Sequence, residues 1–320
     1  MAVAAADRGA SIEFVPITPL ADPLRRAGGH ILVDSLVAWA VAPWVFRRRS
    51  HRPIAAIVHQ APGGVDHGPI RTRLQRALDL SLYRNCSLVI AASGSLRDEL
   101  VVGHGIAAGR VRVVEPGSDL PIDSSVTTDL RCGRKIALLT VANWAANKGI
   151  VELLDAVAAL PADLATLHLV GDDQVDRSYA HRVRVRLAAS GLAGRVVVHG
   201  VLEPGELGRL YGAADAFVLP SYKEAYGTVF GEALAAGLPV VGWRSGNLPN
   251  LIEDGREGCL VALGDVSGLS AVLRRLATDR TWREELTAHA AERGRNLPKW
   301  SDTADAFFGL FGGFSPPSGD

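Results

Sequence analysis

The sequence lacks the motifs that most often indicate nucleotide binding or hydrolysis. No GxGxxG or GxxxxGK[ST] motif follows any apolar run, which excludes the two commonest phosphate-binding loops. HExxH, GxSxG and His or Asp clusters with metal-ligand spacing are absent as well. This excludes the usual zinc protease site and the serine hydrolase elbow. We therefore expect the chemistry to come from a less common arrangement of residues and to need no metal.

Cysteine and long apolar runs are also scarce. The cysteines are Cys86, Cys132 and Cys259. Three cysteines so far apart make neither a disulfide framework nor a zinc site, which predicts a reduced, cytoplasmic compartment. The longest apolar run, Ser35 to Phe46, contains Pro43 and falls short of the roughly 18 residues that span a bilayer. Residues 1–20 hold charged side chains and no continuous apolar core, so we expect no signal peptide.

Composition and charge indicate an ordinary globular protein. The 320 residues predict two domains at about 150 residues each. Hydrophobic residues make up 48% and charged residues 21%, which excludes a disordered chain. Net charge is zero, but residues 1–122 carry 14 Arg, no Lys and 10 acidic residues, a balance of +4. This excess is too small to indicate a nucleic-acid partner and suits an anionic substrate or membrane surface.

Short apolar runs alternate with helical patterns along the chain. The first half contains the candidate strands Ile12–Val15, Ile31–Val33, Ile54–Val58, Leu88–Ala91 and Val111–Val114. The second half contains Lys135–Val141, Thr166–Val170, Arg195–His199, Ala216–Leu219, Pro239–Trp243 and Gly258–Val261. The runs are continuous and not alternating, as in parallel strands buried on both faces. With helical patterns such as 149–160 and 180–190 between them, they predict a doubly wound α/β fold.

Turn and linker residues from Pro121 to Gly133 separate two Rossmann-like domains. We place the first domain at residues 1–122 and the second at residues 131–299. Residues 300–311 form an amphipathic helical pattern with aromatic residues for docking, and residues 312–320 are expected to be disordered. Residues 1–10 are interpreted as the end of a helix that precedes the first strand.

Two glutamates frame the most informative segment of the second half. Glu224 follows the strand Ala216–Leu219, and Glu232 lies inside a helix that begins near Gly227 and ends at Gly237. Six helical steps of about 1.5 Å span roughly 9 Å, the separation of the two sugars of a nucleotide sugar. The free N–H groups at the helix start favour a diphosphate between them. One carboxylate can therefore hold the donor sugar and the other the ribose diol.

The spacing Glu224-x7-Glu232 followed by Ala-Leu-Ala-Ala-Gly-Leu-Pro-Val-Val resembles the signature of glycosyltransferase family 4. Further segments are similar to other motifs of that family. These are Val141–Gly149, Leu169–Asp172, Val198–Val201 and Tyr211–Ser221. The resemblance covers about residues 88–311 and implies a GT-B fold of two Rossmann-like domains whose C-terminal helix crosses back to the first. It also implies retaining, metal-independent sugar transfer in bacterial glycan biosynthesis, without a cofactor and with a UDP- or GDP-type sugar as co-substrate.

The same resemblance implies roles for individual residues. Lys148 would neutralise the donor diphosphate, Glu224 would hold the donor sugar and Glu232 the ribose. The remaining donor-binding positions are Asn143, Gly171, Gly200, Val201, Tyr226, Gly227 and Thr228. Asn143 departs from the family, which usually has an arginine five residues before the lysine. The residues that would bind the donor phosphates therefore carry one positive charge fewer than is usual in the family.

His59 is the candidate catalytic residue of the first half. It follows the strand Ile54–Val58, and the carboxyl ends of such strands face the ligand crevice. It resembles the family's strand-end histidine, which touches the donor sugar near the reaction centre; a structural histidine is the alternative. For Ser35–Phe46, a buried Rossmann helix is favoured because the run lacks a polar face. A membrane-surface helix at the inner face of the membrane is the second interpretation.

The resemblance leaves several questions open. The family's first strand and Gly-rich loop have no counterpart in residues 1–10. The alternatives are a misassigned start codon, a fragment of a longer chain, or a protein that has lost the loop. The expected activity is transfer of a sugar to a hydroxyl of a glycan, lipid or small molecule, so the partners are a nucleotide sugar and a sugar or lipid-linked acceptor. A non-catalytic GT-B binding or partner subunit is the alternative, and a nucleotide-sugar epimerase fits the two glutamates less well.

Overall fold

A computed structural model describes residues 5–8, 11–15, 30–47, 53–64, 68–119 and 129–311. The chain forms two compact units, Met1–Gly117 with Pro298–Asp320, and Ser118–Leu297. Most of the segment between Pro121 and Gly133, and the tail 312–320, lie outside the described residues. In the part of the chain that the structure describes, no helix has the length and apolar character needed to cross a bilayer.

The first unit contains a parallel sheet whose described strands lie side by side in chain order. These strands are β1 (Ile31–Asp34), β2 (Ile54–Val58), β3 (Leu88–Ala91) and β4 (Val111–Val113). The helices between them are α1 (Ala38–Arg47), α2 (Pro69–Asn85) and α3 (Gly94–Asp98). Helices α1 and α2 pack against each other. The central strands β2 and β3 are almost wholly buried, as their continuous apolar runs predict.

The second unit contains a parallel sheet of six strands in the order β10-β9-β8-β5-β6-β7. The strands are β5 (Ile136–Val141), β6 (Ala165–Val170), β7 (Val196–Gly200), β8 (Ala216–Val218), β9 (Val240–Trp243) and β10 (Gly258–Val261). The helices are α4 (Ile150–Ala158), α5 (Arg177–Leu187), α6 (Pro204–Ala213), α7 (Thr228–Ala235), α8 (Leu248–Leu251), α9 (Val266–Thr278) and α10 (Arg280–Arg295). The strand order reverses between β5 and β8. In open α/β sheets, ligands bind at the carboxyl ends of the strands at such a reversal.

The C-terminal helix α11 (Trp300–Gly309) belongs to the first unit, as the family resemblance implies. Phe307 and Phe308 join Ile90 of β3 in one apolar cluster. The helix start is fixed as well: Thr303 Oγ1 donates to a backbone carbonyl of residue 115 at 2.8 Å. A Cβ at Gly117 would lie 2.3 Å from the backbone nitrogen that begins the helix, so this position accepts only glycine.

The prediction of a strand over Ile12–Val15 is wrong. Residues 11–15 are described without strand structure and pair with none of the described strands. Phe14 is 79% exposed, whereas a strand inside a parallel sheet would bury it. Glu13 interrupts the apolar run and Pro16, which lacks a backbone N–H, follows it directly. Ile12 still packs on the cluster under α11.

Helix α1 begins three residues later than the apolar run that predicts it. Its inner face is buried through Ala38, Val41 and Ala42, which agrees with a Rossmann helix. Trp39 and Pro43 are exposed on the opposite side. One face of the helix therefore contributes to the core and the other is left for solvent or a partner.

The packing of α11 yields a stability prediction. We expect Phe307→Ala to lower the free energy of unfolding of the first unit by about 3–5 kcal/mol, because it leaves a cavity in the cluster. Phe14→Ala, at an exposed phenylalanine of the same unit, should change it by less than about 0.5 kcal/mol. Thermal and urea unfolding of the whole chain measure both. Equal stability of the two variants would show that α11 contributes nothing to this core.

Candidate active site

Two loops meet where the strand order of the second unit reverses. The loop after β5 ends at Gly149, and the loop after β8 contains Pro220. A Cβ at Gly149 would lie 2.1 Å from the Pro220 carbonyl oxygen, so glycine is required for the loops to touch. The Asn147 carbonyl accepts hydrogen bonds from Ser221 Oγ at 2.9 Å and from the Tyr222 N–H at 2.7 Å. The two loops are thus held together through backbone.

This contact brings Lys148 and Glu224 together. The Lys148 ammonium donates to Glu224 Oε1, and the same oxygen accepts from Ser221 Oγ at 3.0 Å. Both charged side chains are largely buried. The sequence predicts the donor diphosphate as the ligand of Lys148 and the donor sugar as the ligand of Glu224. It does not predict that the two side chains contact each other. It also missed Ser221, although its place one residue after Pro220 marks the loop.

Helix α7 starts four residues after Glu224 and has no side-chain cap. Its N-cap is Gly227, which adopts a left-handed backbone with φ of 83° and offers no side chain to cap the first turn. A Cβ at Gly227 would lie 2.5 Å from the ring of Phe230. Tyr226 is buried and Thr228 is exposed. The first-turn N–H groups that follow Gly227 therefore present the partial positive charge that suits a phosphate.

Glu232 lies just over one turn into α7 and is oriented by a buried tyrosine. Tyr211 donates its hydroxyl hydrogen to Glu232 Oε2 at 2.9 Å. No described residue donates to Oε1, which leaves that oxygen free to accept. Burial raises the pKa of Glu232, and the hydrogen bond from Tyr211 opposes this shift. The fixed carboxylate suits recognition of a diol.

Asn143 and Gly171 meet at the ends of β5 and β6. Gly171 has φ of 142°, and a Cβ there would lie 2.0 Å from the carbonyl oxygen of residue 142. Asn143 is exposed, and its Oδ1 accepts from the Asp172 N–H at 3.3 Å. The side chain that replaces the family's arginine thus supports a turn and brings no charge.

Gly200 and Val201 follow at the end of β7. The Gly171 N–H donates to the Gly200 carbonyl at 2.8 Å, which joins the ends of β6 and β7. Gly200 has φ of 70°, and nothing lies within 4 Å of a Cβ built there. Val201 is exposed beside it. The end of β7 therefore offers accessible backbone and an exposed apolar side chain, and both suit contact with a planar nucleotide base.

A histidine pair beside Gly200 was not predicted as a unit. His168 Nδ1 and His199 Nε2 are 2.9 Å apart, and His168 Nε2 lies 2.8 Å from the Leu130 carbonyl oxygen. Because that oxygen only accepts, His168 carries its proton on Nε2 and accepts from His199 on Nδ1. Burial lowers the pKa of both imidazoles, which favours the neutral pair. The pairing joins neighbouring strands, so no local sequence signal could show it.

His59 belongs to the first unit. It follows β2 directly, and its Nε2 lies 3.6 Å from Asp34 Oδ1 at the end of β1. Its backbone N–H donates to Ser35 Oγ at 3.4 Å. Asp34 was missed, although an acidic residue at the carboxyl end of a buried strand is itself a signal. The imidazole and the carboxylate form a polar pair at the carboxyl edge of this sheet.

The described residues contain no group of three or more His, Cys, Asp or Glu side chains arranged to hold a metal ion. The predicted site residues of the second unit instead combine one lysine, two glutamates and the start of a helix.

Family models match both units. A model described as "Glycosyltransferase Family 4" matches residues 8–121, and one described as "Glycosyl transferases group 1" matches residues 135–279. The D-inositol 3-phosphate glycosyltransferase of Corynebacterium jeikeium is 27% identical over 309 residues, which cover 91% of this chain and 72% of the relative. Glycogen synthase of Mycobacterium tuberculosis is 30% identical over 79% of this chain and 61% of its own length. The chain thus spans 72% of the length of the first of these relatives and 61% of the length of the second.

Solved structures share the fold. Sucrose-phosphate synthase from Thermosynechococcus elongatus aligns with a TM-score of 0.76 at 25% identity, covering 88% of this chain and 72% of that one. HepE from Anabaena, solved in complex with UDP and glucose, aligns with a TM-score of 0.75 at 22% identity, covering 88% and 77%. The family models, the relatives and the two parallel-sheet units agree: the chain belongs to the family 4 glycosyltransferases and has their GT-B fold.

Proposed function

We propose that this chain is a retaining, metal-independent glycosyltransferase that moves a sugar from a nucleotide-diphosphate sugar to a hydroxyl acceptor. The observation that carries the proposal is the Lys148–Glu224 pair, whose glutamate lies four residues before the uncapped start of α7. A cation, an acceptor for sugar hydroxyls and free N–H groups lie together at the point of the sheet where ligands bind.

The donor class follows from the same geometry and from the relatives. Lys148 and the first turn of α7 suit a diphosphate, and Glu232 suits a ribose. Structures of HepE contain UDP, UDP with glucose, and UDP-glucose. A UDP- or GDP-type sugar is the co-substrate we propose. Nothing in the comparisons supports a non-catalytic partner subunit, since the relatives carry the names of glycosyltransferases and synthases.

Transfer with retention proceeds on one face of the donor sugar in this proposal. The bond from the anomeric carbon to the diphosphate oxygen breaks, and the acceptor oxygen bonds to that carbon on the same face. The acceptor proton passes to an oxygen of the leaving diphosphate. Lys148 and the N–H groups of α7 stabilise the leaving negative charge. Glu224 orients the sugar, and Asn143 contributes no charge.

A surface of the first unit supports a lipid-linked acceptor. Ile70 and Leu74 lie one turn apart on α2 and are 82% and 64% exposed. Arg71 and Arg73 are exposed between them, and residues 69–78 contain no acidic side chain. Exposed apolar side chains flanked by arginine suit a membrane surface with anionic lipid. We include peripheral contact with such a membrane in the proposal.

Metal independence gives the first test of this function. Titration calorimetry with UDP, GDP and their sugars in EDTA should show binding of one nucleotide class to the wild-type chain. Lys148→Ala should weaken diphosphate binding by roughly 10- to 100-fold, the value of one charge-assisted hydrogen bond. Arg97→Ala, at an exposed arginine of the first unit, is the control and should leave binding unchanged. Binding that requires Mg²⁺ or Mn²⁺ would overturn metal independence.

The two glutamates should separate nucleotide binding from transfer. Glu232→Gln should weaken free UDP or GDP by about 10-fold or more, because it removes a charged acceptor for the ribose. Glu224→Gln should keep free-nucleotide affinity or raise it, since Lys148 loses its charged partner, and should slow sugar transfer. Because the pKa of Glu232 is raised, wild-type affinity should fall as the pH drops through that pKa and Glu232 is protonated. Glu232→Gln should lack this change. Equal loss of free-nucleotide binding in both variants would contradict the assignment.

The membrane contact has its own test. Ile70→Ser with Leu74→Ser should reduce sedimentation of the chain with vesicles of phosphatidylglycerol and phosphatidylcholine by several-fold. Val102→Ser, at an apolar side chain that is 84% exposed elsewhere on the same unit, is the matched control and should leave it unchanged. Wild-type chain that stays in the supernatant with anionic vesicles rules out the contact.

A further inference from the structure

A third loop of the second unit holds the segment that carries Glu224. It lies between β9 and α8, and it donates to carbonyls at three alternate positions of that segment. Ser245 Oγ donates to the Tyr222 carbonyl at 2.6 Å. The Asn247 backbone N–H donates to the Glu224 carbonyl at 3.1 Å, and Asn247 Nδ2 donates to the Tyr226 carbonyl at 3.2 Å. One loop thus donates to all three of these carbonyls.

Asn247 is built into this contact. Its side chain is 1% exposed, and its Oδ1 accepts from Asn250 Nδ2 at 3.1 Å. That bond fixes the amide so that Nδ2, and not Oδ1, faces the Tyr226 carbonyl. The preceding Gly246 has φ of 57°, and a Cβ there would lie 2.5 Å from the Glu224 carbonyl oxygen. The third loop therefore approaches the Glu224 segment as closely as backbone allows.

A second support of the Glu224 segment lies earlier in the chain. Among the described residues, the Asn147 carbonyl accepts from Ser221 and Tyr222, which precede Glu224. Lys148 and Ser221 contact the Glu224 carboxylate and not its backbone. After Glu224, Gly227 offers no side chain to cap α7. The hydrogen bond from Asn247 to the Tyr226 carbonyl therefore fixes backbone that lies between these two points.

We propose that Asn247 is a positioning residue of the donor site, which rests on the proposed function. It holds the backbone from Glu224 to Gly227, and with it the carboxylate for the sugar and the first N–H groups of α7 for the phosphates. Glu232 and Gly200, which we assign to the ribose and the base, have other supports in Tyr211 and the Gly171 N–H. Loss of Asn247 should therefore weaken recognition of the outer phosphate and the sugar and spare the nucleoside monophosphate.

The test compares mono- and diphosphates on matched variants. Calorimetry measures the dissociation constants of UMP, UDP, GMP and GDP for wild type, Asn247→Asp, Asn247→Ala and Asn250→Ala. Asp has the shape of Asn but donates no hydrogen bond, so we expect the diphosphate constant to rise about 10-fold in Asn247→Asp, with the monophosphate constant within about twofold. Asn250→Ala removes the bond that orients the Asn247 amide but keeps Asn247 itself, so the ratio of its two constants should lie between those of wild type and Asn247→Asp.

A purely structural role would change both constants together, because unfolded chain binds neither nucleotide. Equal change for UMP and UDP, or a wild-type ratio in both Asn247 variants, would overturn the proposal. Hydrogen exchange gives a readout that needs no nucleotide. The amides of residues 224–228 should exchange faster in Asn247→Asp than in wild type, while those of β5 and β8 stay protected. If wild type binds none of the four nucleotides but this exchange difference appears, the proposed function fails and the positioning role stands; unchanged exchange refutes the role.

Discussion

The site depends on one close approach, that of Gly149 to the Pro220 carbonyl. The gap there is too small for any Cβ, so the loops after β5 and β8 touch only because one of them contains glycine. That contact lies at the reversal of strand order, and it sets the reach of Lys148 and Glu224 toward each other. A larger residue at position 149 would separate the loops and, with them, the cation and the carboxylate that the proposed chemistry uses.

Much of the fold could be predicted because its signals are local. Continuous apolar runs such as Ile54–Val58 and Gly258–Val261 match the observed strands end for end, since burial on both faces demands apolar residues at every position. Ile12–Val15 shows the limit of that rule. These four residues fit an apolar pattern despite the internal glutamate. A strand also requires a neighbouring strand with free backbone groups, and the local sequence does not show whether one is present.

The features of the site also divide into those that local sequence predicts and those that it does not. Glu224, Glu232 and Gly227 could be placed from their spacing along one strand, loop and helix, because a helix fixes the distance between its own residues. The contacts that orient them come from far along the chain. Tyr211 meets Glu232, Asn247 meets Tyr226, and His168 meets His199 through packing of separate elements. No local pattern encodes such pairs, and only the strand order brings them together.

The Lys148–Glu224 pair links charge to recognition. Lys148 is the cation in contact with Glu224, and Asn143 supplies none where the family usually has an arginine. A donor diphosphate brings more negative charge than one carboxylate, so it competes with Glu224 for the same ammonium. In the proposed function, Lys148 would turn to the phosphate, and Glu224 Oε1 would lose that donor and become available to sugar hydroxyls. Binding of the phosphate would thus prepare the carboxylate that we propose for the sugar. The uncharged Asn143 makes this exchange more dependent on the N–H groups of α7, because one lysine cannot balance a diphosphate alone.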